Sequence, residues 1–129
     1  MPIDSKQAYD DSNIFAKILR GELPAKKVLE NEHALAFHDI NPLAPVHVLV
    51  IPKGQYVSMA DFGAQASPEE VAGLFRAVAK AAEEAGLVEG GYRILANTGT
   101  NAHQEVPHLH IHIFGGAPLG PMLKRISAA

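Results

Sequence analysis

The chain has no cysteine and no tryptophan among its 129 residues, and neither sign of charge dominates. Without cysteine there is no disulfide framework and no thiolate metal site, which fits a reducing compartment. No apolar run approaches the roughly 20 residues that a membrane-spanning helix requires. Lysine and arginine total 11 against 14 aspartates and glutamates, a net charge of −3, and they form no basic stripe. That balance argues against a nucleic-acid partner while leaving room for a small phosphate ligand held by local donors. The opening Met1-Pro2-Ile3-Asp4-Ser5-Lys6 lacks the charged and apolar regions of a secretion signal, so the expected address is the cytoplasm. No repeat, low-complexity tract or linker divides the chain. A single domain over 1–129 is expected, with residues 1–10 polar and frayed.

Local patterns predict the elements of that domain. Ser12 to Arg20 reads as a short helix, capped by Ser12 or Asn13, with Ile14, Phe15, Ile18 and Leu19 on one stripe and Gly21 as the stop. Lys27 to Glu30 and Ala34 to Asp39 read as strands around a turn at Asn31-Glu32-His33. Val46 to Ile51 is the most apolar segment and predicts a central strand in which His47 is the only polar residue. Ser67-Pro68-Glu69-Glu70 is a helix start with a capping box, and the longest helix should run over 68–85. Tyr92 to Asn97 and Val106 to Phe114 complete the strands. The order points to an α+β fold, an antiparallel five-stranded sheet with two helices, layered on one side.

Four of the seven histidines fall within residues 103–112, and His108, His110 and His112 alternate in Pro107-His108-Leu109-His110-Ile111-His112-Ile113-Phe114-Gly115-Gly116. Extended backbone has a side-chain period of two, so the three imidazoles share one face and Leu109, Ile111 and Ile113 the other. Three chemistries are open to such a face. Three neutral imidazoles plus water can make a zinc site. Yet the outer two stand about 13 Å apart along a strand and can hardly share one ion. An imidazole can instead attack phosphorus and form a covalent intermediate, in which case His110 is the nucleophile and His108 and His112 its helpers. The face can also be solvated and inert.

His-Leu-His-Ile-His-Ile-Phe resembles the HxHxHxx motif of the histidine triad superfamily. Asp39 to Lys53 is similar to that family's second characteristic segment, and Ile14 to Ile18 to its N-terminal helix, so the likeness runs from Asn13 to Met122. The branch it resembles most is that of the nucleotide-binding proteins, small purine-nucleoside phosphoramidases. The fragile histidine triad branch, which cleaves dinucleoside polyphosphates, is similar too, and a nucleotide-binding interaction protein with little catalysis is a further alternative.

The resemblance implies hydrolysis of a P–N bond, as in adenosine 5′-phosphoramidate or AMP-lysine, through a nucleotidyl-histidine on His110. It implies that His108 and His47 orient the nucleophile and that His112 stands near the phosphate and the leaving group. Asn97, Gln104 and the backbone near Glu105 and Val106 would face the phosphate. Ile14, Phe15, Ile18, Phe37 and Leu49 would line the base pocket, with Asp39 and Ile40 at the ribose. It implies a homodimer, a purine nucleotide as substrate, and neither a metal nor another cofactor. Some relatives carry a C-terminal tryptophan where this chain has Leu119 to Leu123, so the leaving group does not carry over.

Overall fold

A computed structural model describes residues 3–127. The elements, in chain order, are α1 (Ile14–Leu19), β1 (Lys27–Glu30), β2 (Ala34–His38), β3 (Val46–Pro52), α2 (Met59–Gln65), α3 (Pro68–Glu84), β4 (Tyr92–Leu95) and β5 (Ile111–Gly115). The strands form one antiparallel sheet in the order β1-β2-β3-β5-β4, with the apolar β3 at its centre. None of the described helices is long and apolar enough to cross a membrane.

Strand alternation sorts the core into two layers. Ala34, Ala36, Val48, Val50, Leu109, Ile111 and Ile113 face α3, whose Leu74, Ala77, Val78, Ala81 and Ala82 are buried against them. Leu35, Phe37, Leu49 and Ile51 face the other way and meet Phe15 of α1. The helices therefore do not share one side of the sheet, as their order suggested. The long helix covers one face, and the short helix covers part of the other. The remainder of that second face is where the histidines stand.

Helix starts follow their caps. Asn13 caps α1 by accepting from Phe15 N and Ala16 N, and Ser67 and Glu70 form the capping box of α3 with Pro68 behind the cap. α2 is an additional helix, opened by a second capping box of Ser58 and Asp61. It buries Phe62 beneath α3 and beside Tyr56.

Two expectations change at the chain's polar stretches. Residues 3–10 carry no regular structure yet are tied down: Ile3 N donates to Gln104 O across 2.6 Å, and the Tyr9 hydroxyl stands 2.6 Å from His108 Nδ1. The expected fraying of this stretch is thus corrected for residues 3–10, while Met1 and Pro2 lie outside the described residues. The last strand begins at Ile111 instead of Val106. Pro107 has no N–H to give to a ladder. Before Ile111 the neighbouring carbonyl of Pro52 is taken by the side chain of His108 at 2.8 Å, and Leu109 N turns to Tyr56 O.

Candidate active site

Four imidazoles gather on the face opposite α3. His112 pairs with Leu49 across β5 and β3, and His47 pairs with Phe114, so the two rings are diagonal neighbours. Phe114 stacks on His112 at 5.5 Å and 6° and lies 4.2 Å from the ring centre of His47. His110 sits between His112 and Phe15, each 5.0 Å away by ring centroid. His108 lies deepest, with no exposed surface. Although 107–110 are outside the ladder, His108 and His110 both pack against Phe15 and His110 against His112, so the three side chains share a face.

Hydrogen bonds fix which nitrogen carries each proton. A carbonyl only accepts, so His108 Nε2–H donates to Pro52 O and His110 Nδ1–H donates to His108 O, both across 2.8 Å. The Nε2 lone pair of His110 is then free. On the other side, Leu43 N donates to His47 Nδ1 at 3.1 Å. That leaves His47 with Nε2–H, which donates to His112 Nδ1 at 2.9 Å and lies 3.4 Å from Asp39 Oδ2. His112 is consequently protonated on Nε2. Among the described residues this nitrogen is the one buried side-chain polar atom with no partner. A buried donor left without a partner is costly unless a ligand completes it.

Burial favours the neutral form of all four rings. It pushes His108 down to about 4 from the ordinary 6.5. His112 is also held at about 4, by burial and then by His110 and His47. His110 is lowered chiefly by burial, and so is His47, although Asp39 pulls the latter back up.

The other expected site residues divide. Phe15, Phe37 and Leu49 are brought together in one apolar cluster, with Ile18 and Val106 packed against it and Leu35 and Ile51 as members the sequence did not single out. Ile14 is half-exposed and Ile40 is 90% exposed, so both stand at a rim. Asp39 accepts from Asn41 N and faces His47. Asn97 is half-buried. The expected phosphate contact of Gln104 gives way to an internal one. Its side chain is 1% exposed, Oε1 accepts from Gly99 N, and Nε2 donates to Val57 O and Val106 O. Gln104 therefore braces the loop from inside. Glu105 points outward, paired at 3.2 Å with His103, which itself sits at a positive φ of 57° in the turn. Tyr9 and the Leu43 amide, which the sequence reading did not mark, both touch the histidine cluster.

Asp39, His47 and His112 bring potential ligand atoms within 4.8 Å of one another, the geometry of a possible metal site. The proton bookkeeping fits such a site poorly. A cation there would have to displace the Nε2 proton of His47, whose other nitrogen is already held by Leu43 N.

Known proteins share this arrangement of chain and sheet. The HIT domain model matches residues 20–119. An uncharacterized 13.2 kDa HIT-like protein of Azospirillum brasilense is 66% identical over 119 residues, which is 92% of this chain and 98% of that one. The purine nucleoside phosphoramidase of Escherichia coli K12 is 41% identical over 113 residues, covering 88% and 94% of the two chains. A HIT family hydrolase from Clostridium thermocellum superposes with a TM-score of 0.82 at 38% identity, over 89% of this chain and 99% of that structure. A matching domain model over most of the chain, a relative 66% identical across nearly its full length and a shared fold make this chain a member of the HIT domain family.

Proposed function

We propose that this chain is a nucleotidyl hydrolase that cleaves the P–N bond of purine nucleoside phosphoramidates. The observation that carries the reading is the tautomer of His110. Its Nδ1–H is spent on His108 O, which leaves a neutral Nε2 lone pair on a ring 5.0 Å from that of His112, whose Nε2–H has no partner. The E. coli relative, a purine nucleoside phosphoramidase, supports the choice of bond.

In the proposed reaction, His110 Nε2 forms a bond to the α-phosphorus. The P–N bond breaks, its electron pair leaves on nitrogen, and the nitrogen takes a proton from water. The imidazole becomes cationic as it is nucleotidylated, and its Nδ1–H strengthens its bond to the His108 carbonyl. His112 Nε2–H donates to a phosphoryl oxygen as charge builds there, the kind of fixed donor that favours such transition states. A second water then attacks phosphorus, gives its proton to solvent and releases the mononucleotide and His110. Asp39 would accept the ribose hydroxyls, and the Phe15, Phe37 and Leu49 cluster would floor the base pocket with Ile18 beside it.

A homodimer belongs to the same reading. β4 is a sheet edge with Tyr92, Ile94 and Leu95 partly exposed, α3 separately exposes Val71 and Phe75, and unpaired apolar edges favour association. Sedimentation should give twice the 13.8 kDa chain mass.

Steady-state assays on adenosine 5′-phosphoramidate, AMP-lysine and diadenosine polyphosphates test the activity. Wild type should turn over the P–N substrates preferentially. His110→Ala should lose about 10³-fold or more in kcat while still binding AMP. Near-normal turnover by His110→Ala would sink the reading, and a preference for polyphosphates would move the bond to a phosphoanhydride.

A further inference from the structure

Tyr9 precedes the first helix in a stretch without regular structure and is 99 positions from His108. Its hydroxyl nevertheless stands 2.6 Å from His108 Nδ1, and its ring meets the imidazole edge-on, 5.5 Å between centroids at 68°. Asn13 Nδ2 lies 3.1 Å from the same hydroxyl and also donates to Asp10 O at 2.8 Å.

The direction of every bond in this chain is determined. Asn13 Oδ1 accepts from the amides of Phe15 and Ala16 as the cap of α1, so its NH2 end faces Tyr9 and donates. The Tyr9 oxygen thus accepts a hydrogen bond from Asn13 Nδ2–H, and its own O–H donates to His108 Nδ1. His108 must then carry its hydrogen on Nε2, where Pro52 O accepts it. The imidazole is clamped at both nitrogens, which fixes the residue whose carbonyl holds His110 Nδ1–H. Phe15, two residues beyond the cap, packs on both His108 and His110.

We propose that Asn13 and Tyr9 are positioning residues that lock His108 in its neutral Nε2–H form and so hold the His110 nucleophile in register. The inference rests on the phosphoramidase reading for its kinetic consequence but not for its proton arrangement. Neither residue reaches a substrate atom. Their effect is transmitted through His108, and its strength comes from burial, where fixed hydrogen bonds count most.

The chain can be reversed by one conservative change. Asn13→Asp keeps a capping oxygen for α1, since aspartate caps as well as asparagine. It replaces the donor facing Tyr9 with an acceptor, and the bond to Asp10 O is lost with it. The tyrosine proton then turns to the new carboxylate, and the lone pair it exposes stabilises an added proton on His108 Nδ1. An imidazolium at His108 stands beside His110, which must itself become cationic as the phosphorus bond forms. The other titratable or charged groups facing this pair are Asp10, Asp11 and Arg20 around the Tyr9 hydroxyl, and Asp61 of α2 and His110 around His108.

Nitrogen-15 NMR of the imidazoles, with kcat and KM for adenosine 5′-phosphoramidate from pH 5 to 9, tests the proposal on wild type, Tyr9→Phe and Asn13→Asp. Wild-type His108 should be a neutral Nε2–H ring at pH 6, with Nδ1 shifted as a hydrogen-bond acceptor. Tyr9→Phe should lose that acceptor shift and about tenfold in kcat, with KM within about twofold. Asn13→Asp should protonate His108 at pH 6 and lose roughly 30-fold in kcat there, recovering most of it by pH 9. An unchanged His108 spectrum in both variants overturns the proposal, as does kcat within twofold of wild type in both. Should Asn13→Asp fail to fold, Tyr9→Phe decides alone. If wild type cleaves no phosphoramidate, the functional reading fails and the imidazole spectra still judge the relay.

Discussion

The Nδ1–H of His110 donates to the carbonyl oxygen of His108, 2.8 Å away and two residues earlier in the chain. A backbone carbonyl cannot give a proton back, so this bond selects one tautomer of the central imidazole and frees the opposite nitrogen. The selection needs no carboxylate partner. It leaves the ring uncharged and sets the carbonyl dipole against the positive charge that a covalent bond at Nε2 would create on the ring.

His112 should matter through its one unpartnered nitrogen. His112→Phe preserves a ring to stack on Phe114 but removes the Nε2–H donor. Turnover of adenosine 5′-phosphoramidate should fall by about 10²–10³-fold in kcat, the usual cost of losing a preorganised donor to a developing oxyanion. Circular dichroism should show the fold intact. A loss of less than tenfold would remove His112 from the chemistry.

Stability should decline on mild acidification. Burial holds His108 and His112 each at about 4, against 6.5 for an ordinary histidine. Above pH 6.5 both the folded and the unfolded forms are neutral, and these groups are indifferent. Between 6.5 and 4 the unfolded chain binds protons that the folded one refuses, so folding loses up to about 3 kcal/mol per group as pH falls through that window. Urea denaturation at pH 7.5, 6 and 5 should show a falling midpoint. A flat profile over that range would contradict a site of buried neutral histidines.

Ser67 offers a control outside the cluster of His47, His108, His110 and His112. Its hydroxyl accepts from Glu70 N and its amide donates to Glu70 Oε1, which together open the longest helix. Ser67→Ala should cost about 1 kcal/mol. That corresponds to a Tm drop of about 3–5 °C for a chain of this length, by differential scanning calorimetry, with kcat unchanged.

What could be read from residue order alone follows a physical pattern. β3 and α3 were legible because each carries a local signal: an unbroken apolar run in one, a cap with proline and a 3.6-residue stripe in the other. The shared face of His108, His110 and His112 was legible for the same reason, a period of two. α2 was not, since Met59-Ala60-Asp61-Phe62-Gly63-Ala64-Gln65 is short, contains a glycine and has one buried anchor, Phe62. Nor was the late start of β5, which depends on a side chain taking a carbonyl that the ladder would otherwise use. Tyr9 was invisible because nothing near position 9 hints at a partner 99 residues away. The same holds for Gln104, whose burial is decided by Gly99, Val57 and Val106 converging on it.

The proton at His112 traces back through His47 to the main-chain amide of Leu43, whose side chain is 80% exposed. Position 43 therefore contributes to the site with the part of the residue that mutation seldom alters. Nineteen of the twenty amino acids supply that amide, and proline alone does not. This surface position should accept charge, bulk or an aromatic ring with little effect on turnover, yet be closed to one residue. Two prolines already flank it, at 42 and 45, and a third between them would leave His47 without the donor that sets its tautomer.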